Sequence, residues 1–255
     1  MIANYHSHTP LCHHATGTPK EYTEAALERG LTTFGFSDHA PQWFPGDYYS
    51  TMRMYPEELP GYCDTVRQLQ KEYEGRLQIP LGLEVEFYPA IFKELCLRAR
   101  DQGVEYFLLG QHWVGNEMND PFVSRPPHEE SVLKRYCYQV MDAMQTGCFT
   151  YLAHPDLVNF AGDAKIYTQY MRELIREAKS TGTPLELNFL GVSEGRHYPK
   201  EDFWKLAGEE NCDVIFGIDA HTPGQILDLM PEKRCMEIVE TYGLHLLETI
   251  EFRKI

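Results

Sequence analysis

Histidine, glutamate and aspartate recur along this chain in a pattern suited to metal chemistry. His6-Ser7-His8, Asp38-His39, Glu84, His112, His154 and Asp219-Ala220-His221 each sit at or just past the end of a short apolar run, and His14 follows close behind the first. Neutral imidazole and carboxylate are ligands for Zn, Mn, Fe or Co. Alternate residues on a strand point the same way, so His6 and His8 can reach one ion together. A catalytic zinc takes about three protein ligands and leaves a place for water. Seven histidines (6, 8, 14, 39, 112, 154, 221) with Glu84 and Asp219 therefore suit two or three divalent ions and a bridging carboxylate. Paired ions of this kind stabilise the attacking and leaving oxygens in phosphate hydrolysis.

A single histidine at a strand end is more often structural; the convergence of seven carries the metal reading. Spacing alone leaves His13 beside His14, and Glu86 beside Glu84, as competing ligands. Asp38 could be a ligand itself, and reads in preference as a partner that orients His39. His128, His197 and His245 fall outside the pattern, and no cysteine lies at these strand ends.

Elements must bring these residues together. Apolar runs end near Tyr5, Phe36, Leu83, Leu109, Leu152, Phe189 and Ile218, with helical patterns between them. Thr18-Pro19-Lys20-Glu21 reads as a capping box with proline at the first helical position, and Gly30 as the stop. Leu59, Tyr62, Val66, Leu69 and Tyr73 mark a second helix by their spacing of three and four. Repeated βα units at this spacing predict an α/β fold with a parallel sheet wrapped by helices. The strand C-terminal ends of such a barrel meet on the face that carries active sites. No linker divides residues 1–255, so one domain is expected. An eighth apolar run, Leu244–Ile250, either closes the barrel or lies outside it. Ala40–Tyr55 and Val114–Pro127 read as loops over the mouth.

The chain holds 23 Lys+Arg against 38 Asp+Glu, a formal charge of −15. That argues against nucleic-acid phosphates or anionic lipid as partners. No apolar stretch is long enough to span a membrane, and the N-terminus does not read as a secretory signal. The seven cysteines are widely spaced without a Cys-x-x-Cys, so reduced, buried thiols and a cytoplasmic location are expected.

Taken in order, His6-x-His8, Cys12-His13-His14-Ala15, Ser37-Asp38-His39, Gly82-Leu83-Glu84, Gly110-Gln111-His112, Ala153-His154-Pro155-Asp156 and Asp219-Ala220-His221 resemble the motif series of the polymerase-and-histidinol-phosphatase (PHP) superfamily. Within it, Gly82–Tyr88 and Leu185-Glu186-Leu187-Asn188 look most like the stand-alone histidinol phosphatases. The resemblance implies a distorted (β/α)7 barrel with a trinuclear metal site at the C-terminal ends of the strands. It places His6, His8, Glu84 and Asp219 on a first ion, Glu84, His112 and His154 on a second, and His14, His39 and His221 on a third. Glu84 is then the bridge.

The implied activity is hydrolysis of L-histidinol phosphate to L-histidinol and phosphate in histidine biosynthesis, with Glu84, Asp219 and His221 as catalytic residues. Another small phosphate monoester is the alternative substrate. Arg53, Arg125 and Arg196 are candidates to grip phosphate, Arg196 foremost, although residues 189–199 match the family's loop only loosely. Trp43, Phe44, Tyr48 and Tyr49 are candidates to line a pocket for the leaving group. A barrel amidohydrolase also opens with His-x-His, but its carboxylated lysine at a mid-barrel strand end has no counterpart beside His112.

Overall fold

Local rules set the helix boundaries. Thr18 Oγ1 accepts from the Glu21 amide at 3.3 Å while Glu21 Oε2 accepts from the Thr18 amide at 2.6 Å. This capping box opens α1, Pro19–Arg29, which ends at Gly30 with φ 83°. The larger helices that follow are α2 Leu59–Glu72, α3 Pro89–Asp101, α4 Glu130–Gln145 and α5 Ala164–Thr181. The chain then forms α6 Phe189–Ser193, α7 Glu201–Glu209, α8 Pro223–Leu227 and α9 Met230–Tyr242. The computed structural model describes residues 1–125 and 127–255. The expected mouth loop ending at Pro127 therefore includes one position, Pro126, outside the described residues. No helix among those residues is long and apolar enough to cross a membrane.

The strands are β1 Ala3–Asn4, β2 Thr33–Phe34, β3 Gly82–Val85, β4 Tyr106–Leu109, β5 Phe149–Leu152, β6 Leu185–Asn188, β7 Asp213–Gly217 and β8 His245–Leu247. All ladders are parallel, in two groups: β1-β2, and β3 through β8 in sequence order. Isolated parallel bridges carry contact across both gaps. Thr33–Gln78, Phe36–Leu81 and His39–Glu84 link the second and third segments, and Ser7–Ala220 links the seventh to the first. The Asp219 amide donates to His6 O and the His8 amide to Ala220 O, both at 2.9 Å. The ring is thus completed by bridges rather than by continuous ladders, which is its distortion.

The eighth run neither replaces β1 nor stands apart. β8 pairs with the first residues of β7, from Asp213–His245 to Ile215–Leu247, while the C-terminal end of the seventh segment turns to the first. Phe252 beyond it stacks on Tyr106 at 4.6 Å and meets Tyr5 edge-on at 5.6 Å. The predicted sixth run overshot its strand: Phe189 opens α6, with the Asn188 side chain as its N-cap.

Helix faces such as Val66, Leu69, Leu133, Tyr136 and Val140 cover the outside of the sheet. Inside lie Ala3, Tyr5, Tyr106, Leu108, Tyr151, Ala153 and Ile215. Tyr106 fills the floor, its hydroxyl donating to Tyr5 O at 2.7 Å. A Cβ at Gly82 would fall within the Tyr106 ring. Gly82→Ala should therefore overpack the floor and cost about 1–3 kcal/mol. A urea midpoint unchanged from wild type would contradict that packing account.

Candidate metal centre

The strand ends deliver the polar residues to one volume. His6 and His8 follow β1, His39 follows β2, Glu84 lies in β3, His112 follows β4, His154 follows β5, and Asp219 and His221 follow β7. Among the described residues, donor atoms lie within 4.8 Å of one another in the sets His6–His8–Asp219, His6–Glu84–His154, His8–His39–Glu84 and His14–His39–His221. His112 joins through Nε2, 3.7 Å from Glu84 Oε1.

Glu84 is central. Its Oε1 is 2.8 Å from His154 Nε2. Its Oε2 is 2.8 Å from His39 Nδ1 and 3.6 Å from Nε2 of both His6 and His8. Asp219 Oδ1 is 2.9 Å from His8 Nε2 and 3.5 Å from His6 Nε2. A Cβ at Gly110 would overlap the Glu84 carboxylate, so this strand end needs glycine. His154 and Asp219 have left-handed backbones, φ 31° and 54°. Such strain costs about 1–3 kcal/mol per residue and persists where surrounding contacts enforce it.

The rings are aimed from behind. His6 Nδ1 meets Glu186 Oε1 at 2.8 Å, His112 Nδ1 meets Glu86 Oε1 at 2.9 Å, and His14 Nδ1 meets Cys12 O at 2.7 Å. His8 Nδ1 lies 3.4 Å from Asp38 Oδ1. These contacts leave Nε2 of His6, His8 and His112 facing the carboxylates, an arrangement typical of metal-ligating histidines. Asp38 therefore works on the ring of His8; it reaches only the backbone amide of His39, at 2.7 Å. This corrects the expectation that it orients the His39 ring.

The electrostatics fit a cation. Burial alone would raise the Glu84 carboxyl, but the imidazoles of His39, His112 and His6 hold it well below the usual range. Burial opposes ionisation of Asp219 too, and His6 and His8 hold it down. Burial and the neighbouring His8 push His221 down to about 3, so its ring is neutral and free to ligate. Glu84 Oε2 and Asp219 Oδ1 are buried without a hydrogen-bond donor of acceptable geometry. Orphaned carboxylate oxygens ringed by imidazole lone pairs are what a divalent ion satisfies.

His14, His39, Glu84, His112, His154, Asp219 and His221 line a cavity of about 170 Å3, together with Arg53, Trp113, Glu194, Arg196 and Tyr198, while His6 and His8 lie buried beneath. Arg196 Nη1 donates to Tyr198 Oη at 2.7 Å and Nε to Glu194 at 2.8 Å. Arg53 is buried, with Nε and Nη2 on Glu117 at 2.8 and 2.6 Å and Nη2 3.1 Å from Glu86. Arg125 is exposed and outside this lining. His13 packs instead against Tyr55, the ring centroids 4.8 Å apart and the planes tilted by 42°. His128, His197 and His245 bind Phe122 O, Leu157 O and Asp213 elsewhere.

Sequence reasoning missed two features. Cys12 lies within 4.8 Å of donor atoms of His8 and His221. Glu186 stands behind His6; its signal was the alternation Leu185-Glu186-Leu187-Asn188, which puts two polar residues on one strand face.

Fold and site together define an α/β barrel with a candidate metal centre at the C-terminal ends of its strands. The chain belongs to the PHP domain family, which matches residues 4–189. It is 34% identical over 235 residues to a probable histidinol-phosphatase of Deinococcus radiodurans, covering 88% of each chain. It is 25% identical over 255 residues to a histidinol-phosphatase of Bacillus subtilis, covering 87% of this chain and 94% of that one. Its fold matches the Lactococcus lactis histidinol phosphate phosphatase, solved with zinc, L-histidinol and phosphate, with a TM-score of 0.77 at 18% identity over 100% of this chain and 99% of that one.

Proposed function

We propose that this protein is a metal-dependent phosphomonoesterase that hydrolyses L-histidinol phosphate to L-histidinol and phosphate, with residues 1–255 acting as one PHP-type domain. The observation that carries this reading is the convergence of Glu84, Asp219 and seven imidazoles on one cluster, beside a cavity that also holds Arg196. The names of the curated relatives point to the same substrate. The proposed setting is the cytoplasm, with the cysteines kept reduced as free thiols.

The assignment of ligands follows the three sets that the family resemblance implies: His6, His8, Glu84 and Asp219; Glu84, His112 and His154; His14, His39 and His221. When bound, two or three divalent ions (Zn, Mn, Fe or Co) activate water and offset charge on the phosphoryl oxygens. The chain's own residues do the rest. Arg196 offers the cavity a guanidinium suited to phosphate. Arg53 is saturated by Glu86 and Glu117, so its role is to steady Glu86 behind His112. Arg125 is exposed and does not line the cavity, so Arg196 is preferred to it. Water oxygen joins phosphorus and the ester P–O bond breaks, and the proton the water gives up passes beside Asp219 and His221 to the leaving alkoxide.

A second cavity, about 260 Å3 and walled by Trp43, Phe44, Tyr48 and Tyr49, shares Arg53 with the first. It suits the flat, weakly polar ring of the leaving group. The proposal is tested by phosphate release from a panel of monoesters at equal metal loading. Histidinol phosphate should lead in kcat/KM. A nucleotide or sugar phosphate preferred tenfold would overturn the substrate while leaving the phosphatase reading intact.

A further inference from the structure

Glu186 is fully buried, and four donors from two other segments and its own strand meet its two oxygens. Oε1 faces His6 Nδ1 at 2.8 Å and the Tyr151 hydroxyl at 3.4 Å. Oε2 accepts from the His154 backbone amide and from Asn188 Nδ2, both at 3.0 Å. The same Asn188 Nδ2 donates to Asp219 Oδ2 at 3.0 Å. We infer that Glu186 is the positioning residue of the metal centre, setting His6, His154 and Asp219 at once. This rests on the reading of the cluster as a metal centre.

The geometry requires a carboxylate in this place. By accepting from Nδ1 it fixes the His6 tautomer and leaves the Nε2 lone pair facing Asp219 and Glu84. By holding the His154 amide it supports a left-handed turn, φ 31°, that otherwise costs energy. Through Asn188 it pins one oxygen of Asp219 and leaves the other free for an ion. Every partner of Glu186 can donate, at both oxygens. Glutamine has one acceptor and one donor end, so either orientation turns an NH2 group toward two donors. Aspartate is one methylene too short to reach both sides.

Gly217 gives independent support from the neighbouring strand. A Cβ there would overlap the Glu186 carboxylate. Gly217→Ala therefore displaces the same carboxylate without changing its charge. Two chemically unlike substitutions should produce one defect.

The experiment measures zinc per chain by elemental analysis, after stripping the full-length protein and dialysing it against a buffered series of free Zn2+. Melting of each stripped protein is recorded alongside. Glu186→Gln and Gly217→Ala should both need about 10–100-fold more free Zn2+ to fill. Gly208→Ala, which wedges a methyl against the Tyr242 carbonyl in the helical layer away from the cluster, should fill on the wild-type curve and so separate positioning from general destabilisation. If Glu186→Gln does not fold, Gly217→Ala decides on the same curve. Either folded variant filling like wild type overturns the inference, as does an equal shift in Gly208→Ala. Wild type that takes up no zinc overturns the metal-centre reading itself, and the inference falls with it.

Discussion

Glu84→Gln should lower kcat/KM by about 1000-fold or more, since losing the carboxylate proposed to be shared between ions would remove several kcal/mol of charge stabilisation. The reason is its central position. Oε1 reaches toward His154 and His112 while Oε2 reaches toward His39, His6 and His8. No other carboxylate faces so many rings. Glutamine keeps the volume that Gly110 makes room for, so folding should survive and be verifiable by melting. Glu86→Gln is the control that gives the number meaning. Glu86 meets His112 from behind and pairs with Arg53, so its loss should cost about 10–100-fold. Equal losses in the two variants would count against Glu84 as the bridge. Steady-state kinetics at fixed metal loading make the comparison.

That pair also shows where sequence reasoning stops. Glu84 and Glu86 share a strand face, and alternation alone could not choose between them. Both are used, at different depths: one faces the rings and the other holds a ring. The strand ends themselves were legible because β3 to β5 and β7 are short apolar runs closed by polar ligands. α6 and α8, with five residues each, are too short to show a helical period, and Phe189 looked like strand. β8 was ambiguous because its fate depends on where β7 bends toward β1, a tertiary fact. Asp38 was assigned to the ring beside it in sequence, whereas folding brings His8 to it across the first two segments. The donors behind a ligand come from whatever strand lies next in space, so neighbours in sequence are poor guides to them.

Removing the ions should abolish activity and also loosen the fold. An ion present at about 1000 times its dissociation constant stabilises by about 4 kcal/mol. For a chain of this size 1 kcal/mol moves Tm by about 2–4 °C, so losing even one ion should lower Tm by about 10 °C. The cause lies in what the stripped site must bury. Glu84 and Asp219 stay ionised there, each with an oxygen no donor satisfies. Protons partly stand in for the ions. Burial disfavours charge on His8, but the neighbouring carboxylates of Asp219 and Asp38 push its pKa up to about 9. At neutral pH a metal must therefore displace that proton, and affinity should fall as pH is lowered and rise as pH approaches 9. Chelator treatment, differential scanning calorimetry and reloading with Zn, Mn or Co at several pH values test the whole chain of cause. Stripped protein that keeps full activity and the wild-type Tm would show that the clustered imidazoles and carboxylates serve the barrel by some means other than metal.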